Sequence, residues 1–416
     1  MSGEREERTD NADLACCADG CDAYGRLSED ELIRFSEEAG QKLIRQGGTV
    51  DLESESTLYV HWRITNYCNF KCSYCFAPCE NDITKSLMPS MDLIENAVKN
   101  LSAANRQHYR VILLGGEPTA HPQLLETILT LYSGLGKRLE YVRIITNGSI
   151  SSQKMSALAN IGRFLDIHFC VSVHVEYTTV KHVTMLVQKL SGSVRLQFKI
   201  MLQPDLFDKV KSIVDALIAL RSEYAFSMDI GILRRPPDYV HDDDRYTDEH
   251  YAYAKEAFRR FMQAARDGVQ RSGARSNVQR NTNARYYLER NVGGSIEYRD
   301  DVSKAQLRDL TDSYVFKNMI CCAGVNVLDV FANGACRGLV CGWNKTPANL
   351  YKYDPFLVRD MIRGIKCGVE RCGCSANHNV PKFLLPKEGA AFIEARRSRQ
   401  TELTEEWIAK HGKADR

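Results

Sequence analysis

Cys68, Cys72 and Cys75 stand at C-x3-C-x2-C spacing within His61-Trp62-Arg63-Ile64-Thr65-Asn66-Tyr67-Cys68-Asn69-Phe70-Lys71-Cys72-Ser73-Tyr74-Cys75-Phe76. Three thiolates in one short loop suit iron-sulfur chemistry. A four-iron, four-sulfur (4Fe-4S) cube takes one thiolate per iron, so three leave one iron open to another ligand. Structural zinc is the alternative, but zinc wants four ligands, commonly two C-x2-C pairs. Cys79 follows beyond Pro78 and reads as a neighbour of the set rather than a ligand. A second concentration lies downstream: Cys321, Cys322, Cys336, Cys341, Cys367, Cys372 and Cys374 fall within 54 residues. Cys16, Cys17 and Cys21 lie in a polar extension with a weak claim to metal, and Cys170 stands alone.

Other polar groups could complete such a site. In Leu113-Leu114-Gly115-Gly116-Glu117-Pro118, the glycines would let backbone approach a ligand, and carbonyls with Glu117 would offer acceptors to an ammonium. Ile145-Thr146-Asn147-Gly148 and Val171-Ser172-Val173-His174 each end an apolar stretch. Ser172 is the better candidate there, His174 reading equally as a solvated loop histidine. Lys199 and Arg234 or Arg235 could meet a carboxylate.

These residues need a scaffold that gathers them. Short apolar stretches at 58–64, 111–114, 141–146, 166–173, 195–202 and 227–233 alternate with amphipathic ones at 91–104, 123–135, 151–160, 179–190 and 207–221, as repeated βα units do. Such repetition predicts an incomplete parallel barrel with its site at the C-terminal ends of the strands, where the three cysteines fall. An open doubly wound sheet is the alternative. Residues 1–56 read as an extension, with Ser28 capping a helix, and 57–235 as the core. Residues 236–318 read as a bridging insertion with a helix at 248–268, 319–385 as a small Cys-rich domain, and 386–416 as a C-terminal helix.

Lys and Arg number 55 against 53 Asp and Glu over 416 residues, so net charge gives no argument for nucleic acid or an anionic membrane as partner. No run of about 18 apolar residues occurs, and the opening MSGEREERTD lacks a signal peptide's apolar core. The expectation is a soluble, cytoplasmic protein, where clustered cysteines favour metal or redox chemistry over disulfides.

The cysteine spacing, with Tyr74 just before the last cysteine, and Gly115-Gly116-Glu117-Pro118 after the next strand, resemble the radical SAM superfamily. The resemblance covers residues 58–235 and implies an α/β fold, a partial (β/α)6 TIM-like barrel. It implies that Cys68, Cys72 and Cys75 hold a 4Fe-4S cluster whose open iron binds the amino and carboxylate groups of S-adenosylmethionine (SAM). Gly115, Gly116, Glu117 and Pro118 would receive the amino group, Asn147 would line the site, and Ser172 would face the ribose and carboxylate. One electron, from a flavodoxin-type or ferredoxin-type donor, would then cleave SAM to a 5'-deoxyadenosyl radical that abstracts hydrogen from a substrate.

The C-terminal cysteines resemble the SPASM/twitch auxiliary-cluster domains of that superfamily. Cys321-Cys322-Ala323-Gly324 is followed by an Asn333-Gly334 hairpin turn and then by close cysteines. The block departs from the two-cluster pattern, reading C-x4-C-x-C, so one auxiliary 4Fe-4S cluster is expected. Cys336, Cys367, Cys372 and Cys374 would be its ligands, with Cys322 and Cys341 as substitutes, and a zinc knuckle as the alternative. A peptide substrate is the leading expectation, motivated by the length of the 236–318 insertion. A dehydrogenase or epimerase of a sugar, aminocyclitol or other small molecule is the alternative. A non-catalytic scaffold is disfavoured by the intact cysteine and Gly-Gly-Glu-Pro elements.

Overall fold

The computed structural model describes residues 44–45, 57–75, 77, 79–235, 242–272, 286–292, 295–302, 320–338, 348–357, 361–368, 380–383 and 386–412. Cys16, Cys17, Cys21, the helix capped by Ser28, Cys341, Cys372, Cys374 and much of the 236–318 insertion lie outside them.

Six strands, β1 (Thr57–Thr65), β2 (His108–Gly115), β3 (Leu139–Thr146), β4 (Ile167–Val173), β5 (Arg195–Leu202) and β6 (Ser227–Ile232), pair in chain order and in parallel. The helices between them are α1 (Met91–Ala103), α2 (Leu124–Leu135), α3 (Ser152–Ile161), α4 (Val180–Leu190) and α5 (Phe207–Leu220). Each helix follows from its sequence. In α4, Thr179 caps the first turn by accepting from the His182 N–H, and Val183, Leu186, Val187 and Leu190 recur at helical spacing to give one buried stripe. The α/β fold expected from the sequence is present. The sheet is not closed into a barrel, and β6 forms one edge.

Along β4, Ile167, Phe169, Val171 and Val173 are buried in the main core, while His168, Cys170 and Ser172 alternate onto the other face. The same alternation runs through β1, where Leu58, Val60, Trp62 and Ile64 join the core. The opposite, inner face is polar. The Tyr141 ring stacks on His168 with centroids 4.2 Å apart, Arg143 reaches His168 at 3.4 Å, and the Arg110 guanidinium meets Tyr59 and Glu140.

The structure extends the last βα unit past residue 235. Helix α6 (Asp248–Ser272) opens the expected insertion, yet it packs beside α5 and β6, burying Ala257 and Phe261 in the main core and pairing Arg260 with Asp215 at 2.9 Å. It is the outer helix of the sixth unit. A separate antiparallel sheet joins Ile44–Arg45, Tyr286–Val292 and Ser295–Val302.

The C-terminal region also contributes to the barrel sheet, which the sequence did not indicate. Strand β7 (Ile320–Ala323) leads into β8 (Val327–Val330) and β9 (Cys336–Arg337), the last two forming the hairpin anticipated at Asn333-Gly334. Gly334 holds a φ of +84° at that turn, a conformation that favours glycine. Strand β8 then pairs in parallel with β1, so the eight-stranded order is β9-β8-β1-β2-β3-β4-β5-β6. Strand β7 forms a second sheet with β10 (Arg363–Lys366) and β11 (Lys382–Phe383). Helix α7 (Pro386–His411) lies against the end of α1, where Gln400 donates to the Ala104 carbonyl at 3.0 Å.

One ion-pair cluster fastens β8 to β1. Asp329 accepts two bonds from Arg63, at 2.8 and 2.9 Å, and one from Arg337 at 2.9 Å. Burial would raise the Asp329 carboxyl, but the two guanidinium charges outweigh it and hold it below its ordinary value. A carboxyl depressed in the folded state contributes stability above its unfolded pKa of about 3.9, lost as pH falls through the folded value. Asp329→Ala, which strands Arg337 in a buried site, is expected to lose about 3–5 kcal/mol at neutral pH in denaturant unfolding. The gap to wild type should narrow as the pH drops through the acid range.

Candidate functional site

The C-terminal ends of β1 to β5 converge on the loop that carries the cysteines. Its start is set by the Gly-Gly-Glu turn. The Gly116 N–H donates to the Thr65 carbonyl at 2.9 Å and the Glu117 N–H to the Tyr67 carbonyl at 2.6 Å. A Cβ on Gly115 would lie 2.0 Å from the Thr65 oxygen, and one on Gly116 2.0 Å from the Tyr67 oxygen. The close approach these glycines permit is therefore to the chain entering the cysteine loop. Pro118 opens the short turn Pro118–Ala120 behind them and is buried.

Glu117 is fully buried and accepts from four groups of its own chain. Oε1 takes the Thr119 N–H at 2.8 Å, the Thr119 hydroxyl at 2.6 Å and the Thr146 hydroxyl at 2.6 Å, while Oε2 takes the Asn147 N–H at 2.6 Å. Burial raises its carboxyl against the pull of these donors. Its evident work is to join the ends of β2 and β3. Asn147 carries the connection onward, donating to Asn69 of the cysteine loop at 2.9 Å and accepting from Ser149.

The loop is held from the β4 side as well. Tyr74 hydroxyl and His174 Nδ1 lie 2.8 Å apart, Glu176 accepts from the Ser73 N–H and hydroxyl, and Tyr177 bonds the backbone of Lys71 while stacking on Phe70 at 4.4 Å. His174 is thus a fixed, half-buried partner of Tyr74, not a solvated loop histidine, and burial brings it down to about 4. Glu176 and Tyr177 went unnoticed in the sequence, because nothing local marks a residue that reaches back across about 100 positions.

Cys68, Cys72 and Cys75 are half-buried or exposed, and all interact electrostatically. The Cys79 thiol hydrogen-bonds both Cys68 and Cys75. Those bonds pull Cys68 down and Cys75 to about 6, whereas burial pushes Cys72 up to about 12, and the bonds to Cys68 and Cys75 push Cys79 well above the ordinary thiol range. Among the described residues no three His, Cys, Asp or Glu side chains converge closely enough for a single metal ion. A cube, whose thiolates sit on separate irons, does not need that convergence, and the donor set fits it.

Ser172 on β4, Lys199 on β5 and Asp229 on β6 are successive register partners on the inner face. No hydrogen bond or ion pair joins any of the three to a described residue. Arg234 and Arg235 are engaged elsewhere, with Asp242 at 3.7 Å and Asp244 at 2.8 Å.

Of the downstream cysteines, Cys321, Cys322, Cys336 and Cys367 are described, and no three of them converge on a single ion among the described residues. Cys336 is buried beside Leu350 and Tyr351, its thiol bonding the Gly334 carbonyl at 3.2 Å, and Cys321, Cys322 and Cys367 are buried in or next to the β10-β7-β11 sheet.

A parallel sheet that presents a three-cysteine loop and a Gly-Gly-Glu turn at its strand ends defines an α/β domain of the partial-barrel kind. Residues 62–193 match the radical SAM superfamily, and the chain carries a radical SAM domain. It is 29% identical over 98 residues to an S-adenosylmethionine-dependent nucleotide dehydratase of Fibrobacter sp. (strain UWH6), covering 22% of this chain and 28% of that protein. It is 28% identical over 131 residues to a GTP 3',8-cyclase of Chlorobaculum tepidum, covering 31% and 36%. A match to the radical SAM cyclopropyl synthase TigE of Paramaledivibacter caminithermalis is 25% identical and covers 22% of each. The chain spans less than half the length of these curated relatives, which are enzymes. Among solved structures, Streptococcus suis SuiB aligns with a TM-score of 0.42 at 16% identity, over 72% of this chain and 64% of that one. anSMEcpe with bound AdoMet aligns with 0.45 at 14%, over 84% and 96%. No helix among the described residues is long and apolar enough to cross a membrane.

Because a Cβ at Gly116 would collide with backbone, Gly116→Ala is expected to displace the start of the cysteine loop. The iron held by the cysteine loop after anaerobic reconstitution, counted as the part that the Cys68, Cys72 and Cys75 triple Ala variant loses, should fall severalfold, with far-UV circular dichroism close to wild type.

Proposed function

We propose that this chain is a radical SAM enzyme acting on a small molecule that bears a carboxylate or phosphate. Cys68, Cys72 and Cys75 would hold the cluster. Bound there, the 4Fe-4S cluster and SAM supply a one-electron reductive cleavage that yields a 5'-deoxyadenosyl radical able to take hydrogen from carbon. The chain's own contribution is placement. Gly115, Gly116, Glu117 and Pro118 fix the loop's origin, Asn147 ties its middle, and Ser172 and Lys199 offer a hydroxyl and an ammonium to bound ligands.

The observation that carries the anionic reading is Lys199, whose side chain is exposed on the inner face with no described partner. Arg143 lies lower on that face, its Nε buried without an acceptor. An exposed ammonium beside the hydroxyl of Ser172 can bind an anionic group, although Asp229, its register partner on β6, offsets part of its charge. The relatives named for nucleotide and GTP chemistry act on phosphate-bearing molecules, which agrees with it. The peptide reading draws on the insertion's length. Its described portions are α6, which serves as an outer helix, the turn before it, and two strands of the separate antiparallel sheet, and none of them outlines a groove.

An auxiliary cluster on Cys336, Cys367, Cys372 and Cys374, and a low-potential electron donor, complete the proposal. Anaerobic reconstitution tests the cluster count. About eight irons per chain should fall to about four in the Cys68, Cys72 and Cys75 triple Ala variant. Four in wild type would remove the auxiliary cluster, and an unchanged count in the variant would remove the cysteine assignment. SAM cleavage under dithionite should be abolished in the triple variant. Lys199→Met should retain iron while weakening saturation by an anionic substrate about tenfold or more, the scale of one charged hydrogen bond. An unaltered KM would turn attention back to an uncharged or peptide substrate.

A further inference from the structure

Cys79 lies outside the three-cysteine motif, yet the backbone delivers it into the same cluster of thiols. Residues 79–81 return alongside residues 66–68. The Glu80 N–H donates to the Asn66 carbonyl at 2.8 Å, the Cys68 N–H donates to the Glu80 carbonyl at 2.9 Å, and Tyr67 and Glu80 form a parallel bridge. Asn81 secures this return by donating to the carbonyls of Cys68 at 2.7 Å and Phe70 at 2.9 Å. The Ala77 carbonyl accepts both the Cys79 N–H at 2.8 Å and the Cys75 thiol at 3.8 Å. Main-chain bonds therefore hold Cys79 beside the segment that carries Cys68, with its thiol within electrostatic reach of Cys68 and Cys75.

Four thiols in one loop match the donor count of a closed cube, whereas an open iron requires three. Both requirements are met if one of the four comes and goes. Cys72 is not that one, since it stands inside the motif, while Cys79 sits on the return segment beyond it.

We propose that Cys79 is a reversible fourth ligand, whose thiolate caps the open iron until SAM displaces it. This rests on the radical SAM reading above. The step is a ligand exchange. The Cys79 S–H bond breaks and its proton leaves as the iron–sulfur bond forms. When the amino and carboxylate groups of SAM bind, that bond breaks and the thiolate recovers a proton, with no electron transferred. The capped state closes the iron to water and oxidants while SAM is absent.

The test compares reconstituted, full-length wild type with Cys79→Ala and Cys79→Ser by Mössbauer spectroscopy and by SAM binding in equilibrium dialysis. Without SAM, the variant-minus-wild-type difference should show one iron per chain leaving all-sulfur coordination, and added SAM should erase the difference. If Cys79 caps the iron nine-tenths of the time, SAM should bind about tenfold tighter to Cys79→Ala. Superimposable spectra with equal SAM affinity would overturn the proposal. Loss of the loop's iron from both Cys79 variants would also overturn it, making Cys79 an obligatory ligand. Failure of the radical SAM reading is a separate result, an iron count that ignores Cys68, Cys72 and Cys75.

Discussion

Everything at the strand ends depends on two main-chain hydrogen bonds, from Gly116 to Thr65 and from Glu117 to Tyr67. They prolong the pairing of β1 and β2 beyond the regular sheet and so decide where the cysteine loop begins. The contact tolerates no side chain at Gly115 or Gly116, because a Cβ at either would occupy the space of a carbonyl oxygen. Glu117 then spends its carboxylate on donors from β3 and its own turn, which binds three strand ends into one rim. Four donors around a buried carboxylate is a fully satisfied arrangement, and such networks fix geometry rather than add much net stability.

The inner face of the sheet is built on the opposite principle to the core. The outer faces of the strands are apolar and covered by six helices, while the inner faces present Arg, His, Tyr, Lys and Asp. Low on this face Arg110 is paired with Tyr59 and Glu140, while Arg143 keeps its Nε buried without an acceptor. The row Ser172, Lys199 and Asp229 has no described partner. That row is where the proposed anionic ligand would find a hydroxyl and an ammonium.

The C-terminal segment is bound into the open parallel sheet. By adding β8 to β1 and locking it with Asp329, Arg63 and Arg337, the fold places a buried ion cluster five residues before Cys68 on the strand that delivers it. A disturbance among the downstream residues would thus reach the cysteine loop through a stiff, short path.

The sequence by itself determined the local alternations, period two in the strands and 3.6 in the helices, and the chain order of the βα units follows from them. It also determined which short-range groups could do chemistry: the C-x3-C-x2-C spacing, the double glycine and the Asn-Gly turn are each legible within a few residues. Only the tertiary structure decided the rest. That Asp329 meets Arg63, that Glu176 and Tyr177 clasp residues 70–73, and that α6 closes the sixth unit are contacts across tens to hundreds of residues, set by how the parallel sheet brings strand ends together. Glu117 shows the division within one residue. Its type and place marked it as an acceptor, but which donors claim it depends on β2 and β3 ending at the same height. Cys79 shows it again, since residue spacing sets it apart from the motif and the backbone pairing of residues 79–81 with 66–68 returns it to the thiols.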